Sequence, residues 1–230
     1  MEDKFFSKIK HSTMQKTPQF YEFLRYVFGA VFVGKDVVGA IKEIPLNSKI
    51  INLGSGAKKV RKDVINVDIF PSARVDVVAD AKNLPFANDS MDAAIAEQLL
   101  EHVSDPQKVV DEIYRVLKPG GTVYISTPFM IGYHSMPNDY YRWTLDGLKE
   151  LMKNFKESES GMRCGPTSAL VAILSEWLAS FLSFGIKFLY QIFLPVFILV
   201  LAPLKILDFF IYRYKSFDKI ALAFYFVGKK

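Results

Sequence analysis

Two features near the middle of the chain combine residue types that bind nucleosides. Gly54-Ser55-Gly56 follows directly on the apolar run Ile50–Leu53, and Asp68 ends a second apolar run, Val64–Val67. Glycine just after a strand lets the backbone approach a ligand that any Cβ would hold off. A carboxylate ending the next strand can accept hydrogen bonds from both hydroxyls of a ribose. Together they point to a nucleoside-type cofactor at the carboxyl ends of parallel strands. A nicotinamide dinucleotide fits poorly. Lys59 stands where its fingerprint needs a third glycine, and Asp68 comes too early for its ribose acid. The segment of about ten residues between Gly56 and the second strand also leaves little room for the helix a pyrophosphate rests on.

These residues need strands to carry them. Apolar runs place strands at 49–54, 63–69, 75–79, 91–96 and 122–127, a weaker one near 157–163, and a terminal one over Ile220–Val227. Asp105 as N-cap and Pro106 behind it open a helix whose Val109, Val110, Ile113, Val116 and Leu117 share a face, and Lys118-Pro119-Gly120-Gly121 stops it. Thr144 caps another, with Leu145, Leu148, Leu151 and Met152 turned inward. Phe20, Phe23, Leu24, Val27, Phe28 and Val31 fall at helical spacing and predict an amphipathic helix over Gln19–Val33, after a loosely held polar arm at 1–16. Strands alternating with helical segments over 49–155 predict an open sheet with helices on both faces. Its ligand site lies beyond the strand carboxyl ends, beside the first strand.

The 230 residues suffice for one domain with a full core, and half are hydrophobic. The net charge of +5 is spread along the chain without a dense basic run, so no nucleic-acid partner is expected. The single cysteine, Cys164, excludes an internal disulfide framework and a cysteine-cluster metal site. Met-Glu-Asp-Lys opens the chain with acidic residues, and no apolar core precedes residue 20, so a secretory signal is not expected and a cytoplasmic location is the default.

Five motifs then come in order: Asn-Leu-Gly-Ser-Gly (52–56), Asn-Val-Asp (66–68), Ala-Asp-Ala with Leu-Pro-Phe (79–86), Leu-Glu-His-Val (100–103) and Arg-Val-Leu-Lys-Pro-Gly-Gly (115–121). Each is weak alone, but the series resembles the class I S-adenosylmethionine-dependent methyltransferases of the small-molecule type, over about 49–155. The resemblance implies a Rossmann-like, doubly wound seven-stranded α/β sheet, mostly parallel with an antiparallel last strand, and S-adenosylmethionine as cofactor. It places Gly54, Ser55 and Gly56 under the methionine part, Asp68 on the ribose, and Ile69 beside the adenine. Asp80 would accept from the adenine amino group, with the Ala81 amide beside it, and Glu97 and Gln98 would wall the transferable methyl. Asn52 replaces the usual acid two positions before the first glycine and Lys58 a frequent third glycine. Contact to the methionine amine thus loses its ionic part, and modest cofactor affinity is expected.

Methyl transfer from a sulfonium needs alignment more than acid or base, because the leaving group departs neutral. The acceptor side falls to the loop after the fifth strand, residues 128–143. There His134 is the candidate general base, with Tyr133, Asp139, Tyr140 and Arg142 as substrate-binding groups; a purely structural Asp139–Arg142 pair is an equal alternative. Gln98-Leu99-Leu100-Glu101-His102 departs at its first residue from the Glu-x-x-Glu-His sequence that some related methyltransferases use with a further histidine to bind a cation. An amide is a weaker donor to a hard cation, so no metal is expected.

Residues 168–212 are far more apolar than the rest, and Phe188–Leu204, seventeen residues, carry no charge. Pro195 and Pro203 interrupt that run, which is near the lower limit of a membrane span. If the terminal strand rejoins the sheet, both ends lie on one side of any membrane and a single span is forbidden. Trp177, Tyr190, Tyr212 and Tyr214, with Lys187, Lys205, Arg213 and Lys215, suit an interfacial hairpin. A lid over an apolar substrate and a dimer interface are the alternatives. The expected organisation is an N-terminal arm and helix (1–48), a methyltransferase core (49–167), an apolar helical insertion (168–216) and a terminal strand completing the sheet (217–230). The expected function is methyl transfer to a small-molecule, lipid-like or lipid-linked acceptor at the inner face of the membrane. The alternative is a non-catalytic, membrane-attached, cofactor-binding partner in a complex.

Overall fold

The computed structural model describes residues 29–56, 59–134 and 138–230. The polar arm at 1–16, residues 19–28 of the expected N-terminal helix, and Lys58 lie outside the described residues. One sheet organises what is described: β1 (Ile50–Leu53), β2 (Val64–Asp68), β3 (Val77–Val78), β4 (Met91–Glu97), β5 (Leu117–Pro128), β6 (Lys156–Cys164) and β7 (Ala223–Lys229), in the order β3-β2-β1-β4-β5-β7-β6. The first five are parallel, and β7 runs antiparallel between β5 and β6. All four residues of β1 are buried, as a central parallel strand covered on both faces requires.

The two faces are covered differently. On one, α2 (Pro106–Val116) buries Val109, Val110, Ile113 and Val116 against Ile51, Leu53, Ala94, Val123 and Ile125, and α3 (Leu145–Leu151) adds Leu148. Both helices start as expected: Asp105 Oδ1 accepts from the Lys108 amide and Thr144 Oγ1 from the Gly147 amide. On the other face the short α1 (Val37–Ala40) and Ile41 pack over Ile50, Val64, Ile95, Tyr124 and Tyr225. Among the described residues, the connections leaving β1, β2 and β3 carry no helix, because each is too short to climb off the sheet and return.

Three expectations are corrected. Residues 29–33 are not helical: Phe32 bridges Cys164, the Val33 amide donates to the Arg163 carbonyl, and the Gly165 amide donates to the Val31 carbonyl. The free edge of β6 captures this segment, and edge pairing overrides its helical spacing. The strand expected at 75–79 shrinks to Val77–Val78, because Asp76 turns its carboxylate back to the Asn66 amide. Lys118–Gly121 do not precede β5 but bulge from within it, with Met91 facing Leu117 and Ala93 facing Thr122. Gly120 takes the left-handed conformation there, at φ 77°.

Between β6 and β7 the chain leaves the sheet as a helical hairpin, α4 (Pro166–Leu182) and α5 (Lys187–Leu201). It returns through 3-10 turns at Ala202–Leu207 and Lys215–Ile220 and the short α6 (Asp208–Ile211). Cys164 and Ala223 are register partners, so the excursion begins and ends at one place on the sheet.

Candidate active site

β1 delivers the chain to Gly54 and Gly56, both left-handed at φ 62° and 53°. A Cβ on Gly54 would lie 2.8 Å from Leu99 Cδ1, whereas among the described residues nothing lies within 4 Å of a Cβ on Gly56. Glycine is thus required at 54 by conformation and packing, and at 56 by conformation alone. Asp68, at the end of β2, ties this loop down: its Oδ2 accepts from the Gly56 amide at 2.8 Å and its Oδ1 from the Phe70 amide at 2.9 Å. Ser55 is buried, and its Oγ has no hydrogen-bond partner among the described residues. A buried hydroxyl left unpaired inside a glycine cradle is a group set to meet a ligand.

The other predicted cofactor residues gather around this loop. Ile69 and Phe70 project into solvent beside Asp68, apolar and unpartnered by the core. Asp80 Oδ1 caps the Lys82 amide at 2.9 Å, with Ala81 between them, half-buried. Asn52 sits deeper: its Nδ2 donates to Asn66 Oδ1 at 3.3 Å, and the Asn66 amide reaches the Arg74 carbonyl, so Asn52 braces β1 against β2. At the end of β4, Glu97 Oε1 accepts from Arg163 Nη2 at 3.1 Å. Gln98 is left-handed at φ 54°, an uncommon conformation for a side-chain-bearing residue, held by its amide on the Ser126 carbonyl and its Nε2 on Ser126 Oγ.

The loop after β5, residues 128–143, is built around Asp139. Its side chain is buried and accepts from the His134 amide at 2.8 Å and from both terminal nitrogens of Arg142. The Arg142 hydrogen bonds pull the Asp139 carboxyl down to about 2. Arg142 also donates to the carbonyls of Ile131 and Gly132. With its oxygens so engaged, the pair ties the loop together. Tyr133 and Tyr140 stand exposed on that loop, while residues 135–137 lie outside the described residues. The half-exposed His134 ring meets His102 edge-on at 5.3 Å, and Arg142 Nη2 approaches its Nδ1 at 3.3 Å.

Beneath the histidines lies a group to which sequence reasoning assigned no role in the site. Glu101 is fully buried, neither carboxylate oxygen has a hydrogen-bond partner among the described residues, and burial pushes its carboxyl up to about 7. Its Oε1 is 3.9 Å from His102 Nε2, while His102 Nδ1 contacts the Asn138 carbonyl at 2.6 Å. A carbonyl there selects the tautomer with the proton on Nδ1, which turns the basic Nε2 toward Glu101. Ligand atoms of Glu101, His102 and His134 lie within 4.8 Å of one another. Sequence reasoning also missed Arg163. It is buried on β6, its guanidinium lies 4.2 Å from the Phe32 ring centroid, and its Nε and Nη1 lack partners among the described residues. No local signal marks it, since it reaches Glu97 across two intervening strands of the sheet.

Comparison with known proteins bears on this arrangement. Residues 52–125 match a family described as a methyltransferase domain. A demethylmenaquinone methyltransferase of Clavibacter sepedonicus is 51% identical over 59 residues, 24% of each chain. The chain spans less than a third of the length of the first curated relatives it matches. Among solved structures, phosphoethanolamine N-methyltransferase 2 of Haemonchus contortus, in complex with S-adenosyl-L-methionine, superposes with a TM-score of 0.53 at 18% identity, covering 96% of this chain and 60% of that one. The [4+2]-cyclase SpnF superposes with a TM-score of 0.55 at 17% identity, covering 96% and 94%. At such identities the likeness is one of fold, and the cyclase shows that the fold serves more than one kind of reaction.

Proposed function

The chain belongs to the class I S-adenosylmethionine-dependent methyltransferases, and from that premise we propose that it transfers a methyl group to a lipid-like or lipid-linked acceptor. The observation that carries the reading is the cradle of Gly54, Ser55 and Gly56 clamped by Asp68, with an unpaired buried Ser55 hydroxyl and open space beside Gly56. These residues fit S-adenosylmethionine: the glycines and Ser55 would hold the methionine part, Asp68 the ribose, Ile69 the adenine face, and Asp80 and Ala81 the adenine edge. Asn52 would support that cradle from below through Asn66. When bound, the cofactor supplies a methyl on a positively charged sulfur.

The chain's own part is alignment and proton handling. Glu97, braced by Arg163, and the strained Gln98 would wall the methyl position and set the line of attack. His134, on a loop that Asp139 and Arg142 hold in shape, would take the proton from an acceptor hydroxyl or amine. Tyr133 and Tyr140 offer apolar, hydrogen-bonding faces at the rim. A lipid-like acceptor is supported by the bare apolar hairpin, whose base packs against Met130 and Ile131 of this loop through Ala169 and Leu222. It is also in keeping with the match to an enzyme named for demethylmenaquinone, a lipid-like quinone.

The second reading is a non-catalytic binder of the cofactor in a membrane complex, favoured by the extent of that bare surface. Incubating the full chain with methyl-labelled S-adenosylmethionine and a total lipid extract separates the two. Label entering the organic phase is the expected result. Label confined to the cofactor, in protein that binds S-adenosylhomocysteine, would leave the binder.

A further inference from the structure

The α4–α5 hairpin has the wrong surface for a soluble protein. No residue of α5 is buried, and Lys187–Ile211 is long and apolar enough to cross a membrane by length and composition. Bare apolar side chains cover several sides: Leu170, Ile173, Trp177 and Phe181 along α4; Phe188, Ile192, Val196 and Val200 along α5; Leu204, Phe209 and Phe210 on the returning segment. The turn joining the helices adds Phe184, 81% exposed, and Ile186. Exposure of this kind discriminates between occupants. A second copy of the chain covers one stripe, whereas hydrocarbon covers every side and the tip.

Topology fixes how the hairpin meets a bilayer. Its two ends are neighbours in the sheet, Cys164 beside Ala223, so the chain cannot leave one side of a membrane and return from the other. At about 1.5 Å per residue, α4 is about 25 Å long, more than the roughly 15 Å of hydrocarbon in one leaflet. A tilted hairpin dipping into one leaflet satisfies both limits. The exposed charges nearby are mainly basic: Lys187, Arg213, Lys215 and Lys219 against Glu176. That balance complements an anionic lipid surface.

The hairpin's direction is set by its base. β6 is antiparallel to β7, which is antiparallel to β5, so β6 ends on the same side of the sheet as the strands that carry Gly54, Asp68 and Glu97. Asp208 locks α4 to the return segment, accepting from the amides of Thr167 and Ser168 and from Ser168 Oγ in a buried cluster. The acceptor loop joins this base directly, with the Phe129 and Met130 amides donating to the Leu222 and Ala221 carbonyls.

We propose that the α4–α5 hairpin inserts into one leaflet of an anionic bilayer and holds the carboxyl-end mouth of the site at the lipid surface. Docking stands on the hairpin itself; only its use in presenting an acceptor rests on the methyltransferase reading. The test floats the full chain with phosphatidylcholine vesicles containing about a third phosphatidylglycerol, beside vesicles of phosphatidylcholine alone. The protein is expected to rise with the anionic vesicles, and less with the neutral ones. The double variant Phe181→Glu, Phe188→Glu, in exposed positions, is expected to stay at the bottom and bind S-adenosylhomocysteine as the parent does. Parent protein left at the bottom with both vesicles would overturn the proposal. So would a parent dimer in sedimentation that the same variant dissociates, since the partner would then be a second copy. Neither failure touches cofactor binding, which is read separately.

Discussion

Glu101 is a carboxylic acid whose chemistry its surroundings alter strongly. Its carboxyl, ordinarily near 4.5, sits at about 7 because burial disfavours the charged form. Between those pH values the unfolded chain releases a proton that the fold retains. The contribution to stability is therefore full below about 4.5, declines as pH rises, and levels off above about 7, a loss of about 3 kcal/mol in all. Thermal unfolding across that range should show the decline in the parent and not in Glu101→Gln, which keeps the shape without the ionisation. A parent profile as flat as the variant's would contradict the burial argument. His134 makes a separate claim. As base, its replacement in His134→Gln should lower kcat by about 100-fold or more with an acceptor bearing a weakly acidic hydroxyl or amine, leaving S-adenosylhomocysteine affinity unchanged. A drop in cofactor affinity alone would make His134 part of the loop's architecture.

Between elements, the glycine turn shows how a strand end becomes a binding site. Gly54→Ala must adopt a left-handed backbone, at about 1–2 kcal/mol, and also displace Leu99; Gly56→Ala bears the backbone cost alone. Denaturant unfolding should rank them in that order, and equal losses would mean that Leu99 yields freely. Close approach also decides the hairpin's base, where a Cβ on Gly165 would fall 2.0 Å from Asp208 Cγ. Local rules made much of this legible in the sequence. Ile50–Leu53 into Gly54, Asp105-Pro106, Thr144 and the terminal run all signal themselves within a few residues, and each forms its element. What escaped depends on partners distant in the chain. Residues 29–33 carry a helical pattern but meet a free strand edge more than a hundred residues on, at Cys164. Arg163 acquires its role only when β6 and β4 share a sheet with Glu97. Glu101 escaped because no spacing rule shows that its carboxylate is buried beside two histidines.

At the scale of the whole molecule, one end of the sheet collects the residues to which the proposed function assigns roles. The glycine turn and Asp68 leave β1 and β2, Glu97 ends β4, the 128–143 loop leaves β5, and the apolar hairpin leaves β6. This convergence follows from parallel strands, which bring their carboxyl ends to a common crevice. Under the proposed function, the departures at Asn52 and in the short first crossover leave fewer groups for the methionine part, and Asp68 is expected to carry much of the cofactor's hold. Titration calorimetry of the parent and Asp68→Ala with S-adenosylhomocysteine tests that most directly. The parent should bind one equivalent, and the variant should bind about 1–3 kcal/mol more weakly, roughly 5- to 150-fold, as expected when a charged acceptor is lost. No binding by the parent, or the same affinity in both proteins, would contradict the account.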